Sequence, residues 1–403
     1  MLRRLRQLPV LVTAFLLVLG AASLTAAQTS AVELRQLLHE KSAFADTEIA
    51  ALERGETVVR PAAAQNKREI AVAGAVNLLA SAGEFLNSYR DSLTRRGNAV
   101  MQAGAFGAEP VSTDLEALTL EAEDIEDLKE CVAGSCEIKL SAQMIQRFAR
   151  EVDWRAPDYP QQATRLFKSM LLDYVKDYRR RGDAALIAYH DKQTEVRLGD
   201  ELQTLAHAPG YLSEAAAALP QTSEMSLIEE LLVWSKIKFG LKPVLAINHV
   251  TIYKSNRERG PQILAVSRQI YANHYFNSSL GLTAFVTVEG PESYLVYENR
   301  SHADGLEGPL GKLKRGIVQN KALEGLKGVL EQSKIRLETP APGSEPTVAS
   351  ASVPEGWGRR LFGGVRPLLW VLIISALIAL LALRNLEGKT SRAGVKQLKP
   401  EQR

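Results

Sequence analysis

Cysteine is almost absent from this chain. Only Cys131 and Cys136 occur in 403 residues, both in the stretch CVAGSC. That count excludes a small disulfide-framework protein. With no second Cys or His pair nearby, it also excludes a closed zinc site. A surplus of one charge is missing too: 49 Lys+Arg face 46 Asp+Glu, for a formal net charge of +3. Nucleic-acid binders usually carry a basic stripe, so nucleic acid is not an expected partner.

Motifs for familiar chemistries are missing as well. His39, His190, His207, His249, His274 and His302 form no HExxH or comparable ligand spacing. Ser267, Ser278 and Ser279 lack a GxSxG elbow. GLEGPLGKLKRG has glycine and lysine without P-loop spacing, and TLEAEDIEDLKE lacks the central glycine of an EF-hand. No cofactor and no metal are expected.

Long apolar runs are scarce, and the two present lie near the ends. Residues 1–27 have a secretory-signal layout. Arg3, Arg4 and Arg6 precede an apolar run from Val10 to Ala22, and Thr25 and Ala27 are the small residues before a cleavage point. An uncleaved anchor is the alternative. Residues 367–383 read PLLWVLIISALIALLAL, 17 residues without a charge, between Arg366 and Arg384. This is the short limit for a bilayer span, with Trp370 at an interfacial position. A Pro/Ser/Ala-rich linker over 338–365 precedes the expected transmembrane helix, 366–384. The basic tail, 385–403, is then cytoplasmic by the positive-inside rule. Export of the N-terminal side agrees with that topology. The expected location is the cell membrane, single-pass, with residues 28–337 extracytoplasmic (periplasmic in a Gram-negative host). In that compartment the Cys131/Cys136 pair is expected to form a disulfide, with Gly134 easing the turn; two free thiols are the alternative.

About 310 residues remain between the ends, enough to bury a real core. Helical spacing is expected over 31–53 and 83–93, and strands over 56–60 and 69–79, where REIAVAGAV is rich in β-branched residues. Residues 97–110 read as strand and loop. The acidic run 113–128 reads as solvated helix faces. A helical block over 141–237 follows, closing with a helix at 226–237. Arg179, Arg180, Arg181 and then Gly182 end one of its helices. Four extended segments come next, 244–253, 263–276, 280–288 and 294–300, with turn residues between them, as in an antiparallel meander. A bulge is expected near Arg268 and Gln269. The long stretch 310–337 is expected to be one helix with Leu313, Ile317, Leu326, Leu330 and Leu337 in a stripe.

This order of elements resembles the START/Bet v 1-like helix-grip fold, mostly over 241–337, with 56–93 as its first strand and helices. The resemblance implies an α+β fold: a curved antiparallel sheet with a long C-terminal helix, here with a large helical insertion. The runs YANHYFNSSLGLT and YLVYENRSHADGL are also similar to a family of uncharacterised exported, membrane-anchored bacterial proteins, a likeness that brings no activity with it. The helix-grip resemblance implies an apolar cavity between sheet and helix, holding a lipid or other hydrophobic small molecule. Ile270, His274, Phe276, Leu282, Phe285 and Ile317 are the candidate lining. The alternative is a structural or interaction protein of the cell envelope, with a protein partner and no cavity. The third reading is an enzyme. His274, His302 and Asp304 are its candidate acid/base groups, with His249 and Arg300 nearby if the strand ends converge.

Overall fold

In the computed structural model, residues 34–339 are described except 98, 209–224, 241, 257–259, 290, 291 and 309. All lie in the first of two compact units, Met1–Pro342. The expected signal and membrane segments fall outside the described residues. Among the described residues no helix is long and apolar enough to cross a membrane.

The fold is α+β, with a large antiparallel sheet and a C-terminal helix. A π-helical turn at Leu37–Lys41 and α1 (Asp46–Glu53) come first. The expected single helix is broken between them, where Ala43 adopts φ 53°. Then follow β1 (Val58–Pro61), β2 (Glu69–Leu79), α2 (Ala82–Leu93) and β3 (Val100–Phe106). The α2 start is a capping box: Ser81 Oγ accepts from Glu84 N, and Glu84 Oε2 accepts from Ser81 N. Helix α3 (Ala122–Glu130) comes before the expected helical block, in which α4 (Ala142–Glu151), α5 (Tyr159–Arg181) and α6 (Leu198–Ala206) form. A small hairpin, β4 (Ala188–Tyr189) with β5 (Val196–Arg197), sits between α5 and α6. Gly182, at φ 57°, caps α5.

Five strands make the meander: β6 (Met225–Lys238), β7 (Pro243–Ser255), β8 (Gly260–Ala272), β9 (Phe276–Glu289) and β10 (Glu292–Ala303). Helix α7 (Gly311–Glu338) ends the domain. The eight-stranded sheet runs β1-β2-β10-β9-β8-β7-β6-β3, antiparallel throughout.

Two expectations about the strands are corrected. Residues 226–237 form β6, not a helix. Leu232 and Trp234 enter one core while Val233 enters the core on the other face. Over Leu232–Trp234 both faces of β6 are buried, so the run LLVW lacks polar alternation and reads as helical. The turn between β8 and β9 falls at Asn273–Tyr275, four residues before the expected Asn277–Ser278 break. Tyr275 takes φ 58° there, a conformation only a small fraction of non-glycine residues adopt. The expected bulge is present: Ile247 pairs with Tyr271 and Asn248 with Gln269, leaving Ile270 extra.

Helices cover both faces of the sheet. On one face, α3, α4 and α5 pack Leu128, Phe148 and Phe167 into one core with Trp234, Ile247 and Tyr271. On the same face, Leu38, Ile49, Leu52 and Leu205 pack against Leu264, Leu282 and Val296. Helix α6 joins these two cores, with Leu198 and Leu202 in the first and Leu205 in the second. The opposite face lies under α2 and α7. Phe85 stacks on Phe285 at 4.8 Å, and Leu326 and Leu330 bury against β2.

The contact of α7 with β2 is close. A Cβ added to Gly74 would lie 2.9 Å from Leu330 Cδ1 and 3.1 Å from Leu326 Cδ2. The expected stripe along α7 divides in two. At 100° per residue, Ile317 and Leu326 lie half a turn apart. Leu326 and Leu330 face the sheet, while Leu313 and Ile317 are 63% and 50% exposed.

Candidate functional site

The junction of the two cores on the helical-block face is polar. Ionisable groups there are almost out of water, where each unpaired charge would cost several kcal/mol. The first cluster centres on Lys139. It lies just after the Cys131–Cys136 disulfide, between the buried Ile138 and Leu140. The disulfide loop is bonded to the segment around the β4–β5 hairpin: Gly134 N donates to His190 O at 2.7 Å and Cys136 N to Asp191 O at 2.9 Å. This brings Asp191 beside Lys139. The Lys139 ammonium donates to Asn277 Oδ1 at 2.7 Å, pairs with Asp304, lies 3.5 Å from Asp191 Oδ2, and sits over the Tyr189 ring. Burial pushes the Asp191 carboxyl up, and Lys139 opposes that push. Tyr189 is raised by burial as well.

The second cluster lies on the end of β10. His302 is fully buried. Asn66 Nδ2 donates to its Nε2 at 3.3 Å, which leaves the Nδ1 proton for Glu201 Oε2 at 2.6 Å. Arg68 reaches Glu201 Oε1 at 3.2 Å. Burial alone would raise the Glu201 carboxyl. The hydrogen bond from His302, together with Arg68, holds it below its usual value of 4.5. Two residues along β10, Arg300 donates to Glu69 Oε1 at 2.7 Å and to Glu298 Oε1 at 3.0 Å. Glu69, Glu298 and Arg300 are all buried.

A cleft of about 720 Å³ opens beside these clusters. Its wall includes Asn277, Ala303 and Asp304 at the ends of β9 and β10, and Asp200 and Glu201 at the start of α6. Asn277 is 1% exposed, and its Nδ2 donor finds no acceptor among the described residues although Oδ1 is held by Lys139. Five carboxylates (Glu195, Asp200, Glu201, Asp304, Glu307) and three cations (Arg68, Lys192, Arg197) line it. Most are already committed: Arg68 to Glu201, Arg197 to Glu195, and Asp304 to Lys139. Among the described residues Asp200, Glu307 and Lys192 line the cleft without a side-chain hydrogen bond or close ion pair, although Asp200 lies in the field of Arg197 and Lys192 in that of Asp191.

The candidate catalytic residues are dispersed among different partners. His274, in the β8–β9 turn, donates from Nδ1 to Glu137 O at 3.2 Å and meets Asp124 Oδ1 through Nε2 at 2.9 Å. Asp304 pairs with Lys139, and its backbone N donates to Tyr275 O at 2.7 Å. Asp304 lines the cleft, and His302 stands behind Glu201. His249 bonds Tyr178 at 3.0 Å, and burial lowers its pKa below 6.5. Asp124, expected among solvated acids, is instead 1% exposed.

The candidate apolar lining does not form one surface. Ile270 and Leu282 lie in the cores of the helical-block face, while Phe285 lies in the core under α7, with Phe276 packed against it. Ile317 points away from that core and is half exposed. Lys139, Asp191, Glu201 and Asn277 were not candidates from sequence. Asp191 lies in the polar run HDKQTE, Glu201 follows Asp200 and Asn277 precedes two serines, so only the tertiary contacts distinguish them. Among the described residues, no group of three or more His, Cys, Asp or Glu is placed to hold a metal ion.

Neither family models, nor curated proteins, nor solved structures give a match to this chain.

Proposed function

We propose that this chain is an exported, membrane-tethered binding protein, and that its ligand is a polar, amine-bearing small molecule held in the cleft between α6 and the ends of β9 and β10. The observation that carries this reading is the unsatisfied Asn277 Nδ2 donor in the wall of a charged cleft of about 720 Å³. A buried donor left unpaired costs about 1–3 kcal/mol. A ligand hydroxyl or carbonyl oxygen would accept from it after a small shift of the side chain toward the cleft, since Nδ2 itself is closed to solvent. Asp200 and Glu307, uncommitted, would face a ligand ammonium, and Glu201 stays ionised beside them. Buried charge pairs around a cleft are the arrangement expected where function, rather than stability, sets the residues.

Support for the tether comes from the sequence signals, and the disulfide fits an oxidising compartment. The helix-grip likeness remains a comparison of element order. Its apolar cavity has less support than the polar cleft. Gly74 lies against Leu326 and Leu330, Phe85 fills the space over Phe285, and Ile317 faces outward. Catalysis through His274 and Asp304 also has less support, since each is held by a different partner.

Saturation-transfer NMR on the purified chain tests the ligand class, with glucosamine and ethanolamine against glucose and succinate. Transfer to the hydroxy-amines, lost in Asp200→Lys, is expected. Transfer to none of the four, or to succinate alone, counts against it.

A further inference from the structure

Among the described residues, none covers an apolar face on the first turns of helix α7. Leu310, Leu313 and Ile317 are 52%, 63% and 50% exposed. Leu313 and Ile317 stand one turn apart on the same side. The charges on these first turns have one sign, with Glu307 and Glu324 just outside them. Lys312, Lys314, Arg315 and Lys321 fall within 311–323, where no Asp or Glu occurs. Arg315 donates to the backbone oxygen of Lys67, which brings a further exposed lysine to this end.

We infer that the first three turns of α7, with the Lys67 loop, dock on an anionic lipid surface. Apolar side chains flanked by lysines are the chemistry of an interfacial helix: the apolar groups enter the headgroup boundary and the cations meet lipid phosphates. A second copy of the chain fits less well, because a symmetric contact of this face would set lysines against lysines. The tether allows the contact. Twenty-seven residues separate α7 from Arg366, and that many can span about 90 Å when extended, against about 40 Å for α7 itself. The docking rests on the proposed tether only for proximity and is independent of the cleft.

The test is the full chain in nanodiscs of phosphatidylcholine alone or mixed with phosphatidylglycerol. Cys131 and Cys136 are disulfide-bonded, so Leu313→Cys takes a single nitroxide label. In phosphatidylglycerol discs the label is expected to gain collisions with oxygen and lose those with a nickel chelate. A label at Leu227→Cys, on β6, should not change. Lys312→Gln and Lys314→Gln should each lower the docked-to-undocked ratio about fivefold. A 313 label equally water-exposed in both discs overturns the docking, as does label–label broadening that reports a second copy. If the chain washes off the discs, the tether fails. Flotation of the same chain with phosphatidylglycerol vesicles then reads the patch separately: salt-sensitive binding supports it and no binding overturns it.

Discussion

The Lys139 ammonium meets the Asn277 amide oxygen at 2.7 Å, deep in the wall of the cleft. The same ammonium holds Asp304 and neighbours Asp191, so one cation neutralises two carboxylates from distant parts of the chain. Lys139→Met would leave both carboxylates uncompensated, a change that costs about 3–5 kcal/mol for a buried pair. Urea unfolding at neutral pH should show that loss. Acidification should shrink it, because protonated carboxyls no longer need the cation. A loss under about 1 kcal/mol would mean that the cluster is solvated.

Stability should fall with acid in two windows. His249 has a folded pKa depressed below 6.5, so the unfolded chain takes up a proton first, and stability is lost as pH drops below 6.5. Glu201 has a folded pKa below 4.5; its contribution is present above that value and lost as pH falls through the folded pKa. Thermal melts across pH should show His249→Asn flattening the upper window and Glu201→Gln the lower one. Unchanged slopes in both variants would contradict these assignments.

How much of this was legible in the sequence depends on the range of the contacts involved. Strand β2, with its β-branched run, helix α2, with Ser81 and Glu84 as its cap, and the Cys131–Cys136 pair are local features, and they could be read directly. Strand β6 could not, because burial of both faces at Leu232–Trp234 erases polar alternation in its apolar run. Nor could the polar clusters. His302 meets Glu201 across 101 residues, His274 meets Asp124 across 150, and Lys139 meets Asp304 across 165. Asp124 sits among seven acids in 113–128, and only its burial separates it from solvated neighbours. The outward turn of Ile317 was open to simple arithmetic, since a residue nine positions from Leu326 lies on the far side of a helix.

The disulfide should stabilise the domain modestly. It closes a loop of sequence separation 5, for which loss of chain entropy in the unfolded state gives about 2 kcal/mol. Reduction, or the double variant Cys131→Ser/Cys136→Ser, should lower stability by that amount. It should also raise hydrogen exchange at Gly134 N and Cys136 N, which bond the hairpin segment. Unaltered exchange at both amides would separate the disulfide from the placement of Lys139.

Packing of α7 on β2 predicts a coupled pair. Gly74→Ala puts a methyl group 2.9 Å from Leu330 Cδ1, an overpacking that costs about 1–3 kcal/mol. Leu330→Ala alone should cost about 2–5 kcal/mol. Together they should cost less than their sum, because the new methyl enters the space that Leu330 vacates. Strict additivity in a denaturation cycle would mean that the helix does not seat on Gly74.

The central claim is that the charged cleft receives a polar amine at Asn277. The most direct measurement follows the side-chain amide resonances of Asn277 in nitrogen-15-labelled protein, assigned by their loss in Asn277→Asp, while glucosamine is added. Movement of the Nδ2 proton signals that saturates with ligand, and its absence in Asp200→Lys, is the predicted result. Saturable shifts elsewhere with the Asn277 amide unmoved, or no shifts at all, would contradict it.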